Sequence, residues 1–230
     1  MKELLSAPAT LLLLLLGIYS LCQYARMRTG IFLINPVLWA TVFFIAYLSA
    51  FDISYEQFKP TGDVVAIWLQ PAVVCLALPL YRQWAKIRQQ WLPIMVSQLL
   101  ASVVGIVSGV WIAYGLGASQ EVAISLASKS VTMPIALEIT QVVGGIAPLT
   151  AASVILAGLT GQILGFWVLR RSRVNSKIAS ALAQGTGSHA LGIAASLAIS
   201  QKFAAYATVG LIFNGLLTSF IAPYLLKYIL

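Results

Sequence analysis

The 230-residue chain is 60% hydrophobic and only 9% charged, and its mean hydropathy is +0.92. A soluble domain carries about a quarter charged residues, so a water-soluble globular fold is excluded. The formal net charge of +8 raises nucleic acid as a partner, but nine of the fourteen Lys and Arg residues fall in three short clusters between apolar stretches. That is the pattern of cytoplasmic membrane loops, and it leaves no basic face for nucleic acid.

A bilayer core about 30 Å thick takes roughly 20 apolar residues per crossing helix. The intervals Glu3 to Arg26, Arg28 to Asp52, Arg88 to Glu121, Glu138 to Arg170, Lys177 to Lys202 and Lys202 to Lys227 enclose no charge. Candidate membrane segments are 4–24, 31–50, 64–81, 93–115, 121–142, 147–169, 178–200 and 204–228. Segment 4–24 has the outline of a secretory leader, with Lys2 before the run Leu11 to Leu16. No small-x-small cleavage site precedes Arg26, however, and Leu21 before Cys22 fits a lipoprotein site poorly, so it is predicted to be the first spanning helix.

Segment 31–50 carries Asn35-Pro36, the acidic loop from Asp52 to Asp63 follows, and segment 64–81 contains Gln70-Pro71. Cys22 and Cys75 lie in apolar runs without metal-ligand spacing and read as small hydrophobes. Trp84 and Trp91 flank the second basic cluster, Arg82, Lys86 and Arg88, where interfacial aromatics belong. The first cluster is Arg26 and Arg28; the third is Arg170, Arg171, Arg173 and Lys177.

If the three clusters share the cytoplasmic side, an even number of crossings separates each neighbouring pair. Segments 31–50 and 64–81 satisfy this between the first two, but three segments lie between Arg88 and Arg170. Segment 121–142 has the composition of one that does not cross: Lys129, Ser130, Thr132, Pro134 and Glu138, followed by Gly144 and Gly145. It is predicted to be a re-entrant hairpin entering from outside, so that Ser119 and Thr150 share the external side. Segment 178–200, interrupted by Gly185, Thr186, Gly187, Ser188 and His189, is predicted to be a second hairpin entering from the cytoplasm. The alternative is that both are kinked spanning helices and that the third cluster lies outside.

The fold expected is an all-α polytopic membrane protein with about six spanning helices plus two oppositely oriented broken segments, in an inverted-repeat arrangement. The whole of 1–230 forms one transmembrane domain, with amino-terminal helices in 1–90 and a transport core in 91–230. Two broken segments entering from opposite faces place a substrate site near the midplane. Gly105-x-x-x-Gly109 and Gly161-x-x-x-Gly165 allow close helix approach.

Lys129 and Glu138 are charges deep in an apolar stretch, where each costs roughly 2.5–3.5 kcal/mol on insertion scales. At about 100° per residue they lie on opposite faces of an unbroken helix, so direct pairing requires a break near Pro134. An ammonium beside the freed N–H groups of a half-helix, with Ser130 and Thr132 nearby, suits an anion. The competing reading has Lys129 snorkelling to the surface and the hydroxyls bonding backbone carbonyls. Thr186, Ser188 and His189 are candidate contacts on the second hairpin, His189 as a donor or proton relay. Glu138, Asn35, Gln70 and Asn214 are coupling or structural polar candidates. No catalytic triad, phosphate loop, metal cluster or haem motif is evident, so neither enzyme activity nor a cofactor or metal is expected.

Ser128-Lys129-Ser130-Val131-Thr132-Met133-Pro134-Ile135-Ala136 and Gly185-Thr186-Gly187-Ser188-His189-Ala190-Leu191-Gly192 resemble the two signature stretches of the LrgB/CidB/YohK family. Asn35-Pro36 and Leu69-Gln70-Pro71-Ala72 through Pro79-Leu80-Tyr81 are similar to its amino-terminal half. The resemblance implies either a secondary transporter of small monocarboxylates, of the glycolate, glycerate, lactate or pyruvate class, or an antiholin-like regulator of murein hydrolase export and autolysis. It also implies a small LrgA/CidA-type membrane partner. A homo-oligomer, with a dimer favoured, is expected, and so is a bacterial plasma membrane location, since no transit peptide is evident. Where the family often has Thr-Ala-Arg, this chain has Ile193-Ala194-Ala195, which shifts the burden of carboxylate binding towards Lys129.

Overall fold

A computed structural model describes residues 5–30, 34–68, 71, 74–75 and 77–229, omitting the side chains of residues 79, 80 and 86. All regular structure among these residues is helical. The chain divides into two compact units, Met1–Cys75 and Leu76–Leu230.

The first unit contains α1 (Pro8–Thr29), α2 (Pro36–Ala50) and α3 (Tyr55–Ala66). Gly30 ends α1 in the left-handed region at φ 67° with its N–H on Arg26 O, leaving Arg26 and Arg28 in the last turn, where cations suit the helix dipole. Asn35 starts α2: its Oδ1 accepts from the N–H groups of Val37 (2.9 Å) and Leu38 (3.2 Å), and Pro36 occupies the first turn. Asn35 therefore has a capping role in this unit. Ser54 and Gln57 form a reciprocal capping box on α3. Phe43, Phe44, Tyr47, Phe51 and Phe58 form a chain of ring contacts between α2 and α3.

The second unit contains α4 (Ala77–Gln89), α5 (Trp91–Gly115), α6 (Gln120–Ala127), α7 (Met133–Val143), α8 (Ala147–Arg171), α9 (Lys177–Leu197) and α10 (Gln201–Ile229). Helix α4 thus belongs with the carboxy-terminal core. Four helices, α1, α5, α8 and α10, are long and apolar enough to cross a bilayer. Helix α2 is apolar but has 15 residues. The segment expected at 64–81 falls partly on residues outside the described set, and Gln70 is among them.

Helices α6 and α7 have 8 and 11 residues, about 12 and 16 Å at 1.5 Å per residue, so neither arm spans the bilayer. They fold back on each other around residues 128–132. Ser125 Oγ accepts from Ile146 N at 2.7 Å, and Ser125 O accepts from Thr150 Oγ1 at 3.0 Å, which ties the last turn of α6 to the start of α8. Thr140 near the end of α7 meets the same Thr150 at 2.8 Å. Residues 120–143 therefore enter and leave at one end, as a hairpin (hairpin 1).

Helix α9 is interrupted by His189, whose φ of 42° and ψ of −130° are not helical. A Cβ on Gly192 would strike the carbonyl oxygen of Gln184. In a continuous helix those residues stand about 12 Å apart, so the chain has reversed between them. Residues 177–197 form hairpin 2. The interruption expected over Gly185 to His189 is narrower in the structure, because 185–188 stay helical and only His189 breaks.

At the mouth of hairpin 2, Lys177 lies beside Ser200 and Lys202, and also beside Arg170 at the end of α8. Ile87 and Ile94 pack there with Ala181, Leu182 and Tyr206, which brings α4 to the same end. The second and third basic clusters thus share one end of this unit, and the mouth of hairpin 1 lies at the other. Thr150, chosen from sequence to report the external side, is fully buried at 0% exposure, so labels belong at exposed neighbours. Cysteines at Ser119 and Gln141 are expected to react with an impermeant maleimide from one side of the membrane, and a cysteine at Ser172 from the other. Ser119 and Gln141 reacting from opposite sides would rule out hairpin 1.

Candidate anion site between the hairpin tips

Each hairpin tip rests against the spanning helix that precedes it. On α5, Gly105 and Gly109 face hairpin 1, while Gln98 and Ser102 on the same stripe reach Thr186 of hairpin 2 and Asn214 of α10; on α8, Val154, Gly158, Gly161 and Gly165 all face hairpin 2. Both stripes have the spacing i, i+4, i+7, i+11, which keeps them on one helix face. Lys129 donates from Nζ to Gly105 O at 3.0 Å, and a Cβ on Gly109 would crowd that ammonium. On α8, a Cβ on Gly158 would meet the His189 ring, one on Gly161 would meet Ser188, and one on Gly165 would meet Gln184. His189 Nε2 lies 3.0 Å from Val154 O; a carbonyl only accepts, so Nε2 carries the proton. Helix α5 with hairpin 1 and α8 with hairpin 2 are therefore built alike and run in opposite directions.

An open-sided cavity of about 680 Å³ runs along α8, and its polar lining is Lys129, Ser153, Thr160, Gln184 and Ser188. Lys129 comes from one hairpin, Gln184 and Ser188 from the other. No Asp or Glu lines it. An ammonium has three donors, and Gly105 O takes one, so the others remain for an anion. The rest of the wall is mostly Leu, Ala, Gly and Val, which suits a small molecule with one charged end.

The other residues singled out from the sequence are distributed around this cavity. Ser130 and Thr186 lie behind it, joined through Asn214. Asn214 Nδ2 donates to Ser130 O at 3.0 Å and to Thr186 O at 3.3 Å, and its Oδ1 accepts from Ser102 Oγ at 2.8 Å. Thr186 Oγ1 is 2.7 Å from Gln98 Oε1. His189 is buried against α8 and does not line the cavity. Thr132 stands at the cap position of α7 without a side-chain cap bond. Glu138 is exposed, in a separate hollow with Ser219 and Pro223, and makes no pair with Lys129 despite the break at Pro134.

Sequence reasoning missed Gln98, Ser102, Ser153, Thr160 and Gln184. Gln98 and Ser102 were within reach, because with Gly105 and Gly109 they form a single polar and small stripe on an otherwise apolar helix.

The LrgB-like family model matches residues 15–228. This chain belongs to the LrgB-like family. YxaC of Bacillus subtilis (strain 168) is 35% identical over 188 residues, 82% of each chain. An uncharacterized protein of Haemophilus influenzae is 33% identical over 204 residues, 89% of this chain and 87% of the relative. The antiholin-like protein LrgB of Bacillus subtilis (strain 168) is 31% identical over 200 residues, 87% of each. No solved structure matches.

The reversal at His189 makes Gly192 a sensitive position in this LrgB-like chain. Gly192→Ala drives a methyl into backbone and is expected to cost ~1–3 kcal/mol, whereas Gly187→Ala enters open space in a helix and is neutral or gains up to ~1 kcal/mol. Thermal melting of the detergent-solubilised variants measures this. Equal or raised stability for Gly192→Ala would mean that residues 178–200 run straight.

Proposed function

We propose that this member of the LrgB-like family is a secondary transporter of small monocarboxylates, of the glycolate, glycerate, lactate or pyruvate class, in the bacterial plasma membrane. The supporting observation is that Lys129 on hairpin 1 and Ser188 on hairpin 2 line one cavity that contains no carboxylate. Broken segments entering from opposite faces put a site where either face can reach it by a modest rearrangement. A lysine kept at that depth calls for an anionic partner, and no acidic side chain supplies one. The apolar remainder of the wall favours a short organic acid over a heavily hydrated inorganic anion. Lys129 binds the carboxylate, Ser188 and Gln184 hold its far end, and a hydroxyl or keto oxygen at carbon 2 pairs with these donors.

A second reading, antiholin-like control of murein hydrolases, is favoured by the names of several relatives, among them the antiholin-like protein LrgB of Bacillus subtilis. That role requires no saturable organic-acid site. A small membrane partner and a homodimer fit either reading and are proposed with both.

Lys129→Ala is expected to weaken equilibrium binding of the preferred carboxylate to purified protein by at least about tenfold, the scale of one charged hydrogen bond, with the protein still folded. Lys129→Arg recovers little, because the ammonium sits against Gly105 and Gly109, where a planar guanidinium is too large. Titration calorimetry on the three proteins reads the effect. Unchanged binding in Lys129→Ala would remove Lys129 from the site. Absence of any carboxylate binding in the unmodified protein would favour the antiholin-like reading.

A further inference from the structure

Each break in a membrane-embedded helix frees backbone carbonyls that neither water nor the helix ladder satisfies. In hairpin 1 such a carbonyl is Ser130 O, in the turn between α6 and α7. In hairpin 2 it is Thr186 O, because the non-helical backbone at His189 interrupts the ladder three residues later. One side chain answers both: the amide nitrogen of Asn214 on α10 donates to Ser130 O at 3.0 Å and to Thr186 O at 3.3 Å. A primary amide has two N–H donors, and here one goes to each hairpin. The amide is held in that orientation by Ser102 Oγ, which donates to Oδ1 at 2.8 Å from α5. Asn214 is 1% exposed and Ser102 is 2% exposed, so neither bond competes with water.

We infer that Asn214 is a latch that makes the two hairpin tips move as one. Its amide is a positioning group outside the cavity lining, and it reaches a ligand only through the tips that carry Lys129 and Ser188. Opening either tip alone strands a buried donor on Asn214 and a buried acceptor on the other side, so the closed pair is favoured as a unit. Alternating access by rigid-body rocking needs the two tips to travel as one body around the site between them, and a shared amide holds them to each other. The role of the latch in transport rests on the transporter reading above, whereas its action on the tips can be measured without any substrate.

The test uses single-cysteine reporters in the full-length protein in liposomes: Thr132→Cys on tip 1, Gly187→Cys on tip 2, and Gln141→Cys at the mouth of hairpin 1 as control. Gly187 has open space around it and tolerates the side chain. Asn214→Ala removes both amide donors without adding bulk, and Asn214→Leu removes them with an apolar side chain in their place. Each is expected to raise the maleimide reaction rate at both tips by about tenfold, the effect of losing two buried hydrogen bonds, with the control rate and monodispersity unchanged. Ser102→Ala leaves both donors to the tips and is expected to change the rates by less than about threefold. Unchanged rates at both tips in Asn214→Ala, or a rise at one tip alone, would overturn the latch. Should a variant fail to reconstitute, the Ser102→Ala protein still decides: a rise there at one tip and not the other overturns the shared latch. All labelling is done without carboxylate, so a failed latch and a failed transporter reading are separate results.

Discussion

The architecture of the second unit follows from one constraint: polar groups buried at membrane depth must be satisfied by the protein itself. Breaking two helices inside the bilayer is costly unless each freed donor and acceptor meets a partner. The breaks at 128–132 and at His189 are therefore surrounded by side chains that do little else. Lys129 bonds Gly105 O, His189 bonds Val154 O, and Asn214 bonds carbonyls in both tips. Small residues on α5 and α8 allow these contacts, since the tips pack close to the backbone of each supporting helix.

That packing explains how a few polar residues acquire a functional setting. Lys129 and Ser188 are far apart in sequence and enter from opposite ends of the unit, yet they line one cavity because both tips stop partway through it. The absence of a carboxylate from the lining leaves the ammonium of Lys129 as the cavity's charge. Ile193 is buried with Ala204 and Ala207, and no cation lies among residues 193–195 to share that charge.

Much of this was legible in the sequence because the bilayer makes polar residues conspicuous. Lys129 and His189 stood out in apolar runs, and the parity of the basic clusters pointed to a segment that does not cross, which the hairpin at 120–143 satisfies. Less legible were residues whose meaning depends on a distant partner. Gln98 and Ser102 look like ordinary polar guests in α5 until Thr186 and Asn214 are placed against them. Gly105, Gly109, Gly161 and Gly165 were read as helix-helix packing, but what they accommodate is the tips. Asn35, a coupling or structural polar candidate from the sequence, caps α2 by accepting from Val37 and Leu38, within its own turn of chain.

Whether the cavity between the tips carries small carboxylates across the membrane is decided by uptake of radiolabelled acids into liposomes containing the purified protein. Glycolate, glycerate, lactate and pyruvate are presented in turn, with and without an inward proton gradient, beside a chloride control. Saturable uptake of at least one of these acids, competed by the others and not by chloride, is expected. Uptake no faster than in protein-free liposomes for all four, or leakage that does not discriminate acids from chloride, would contradict it.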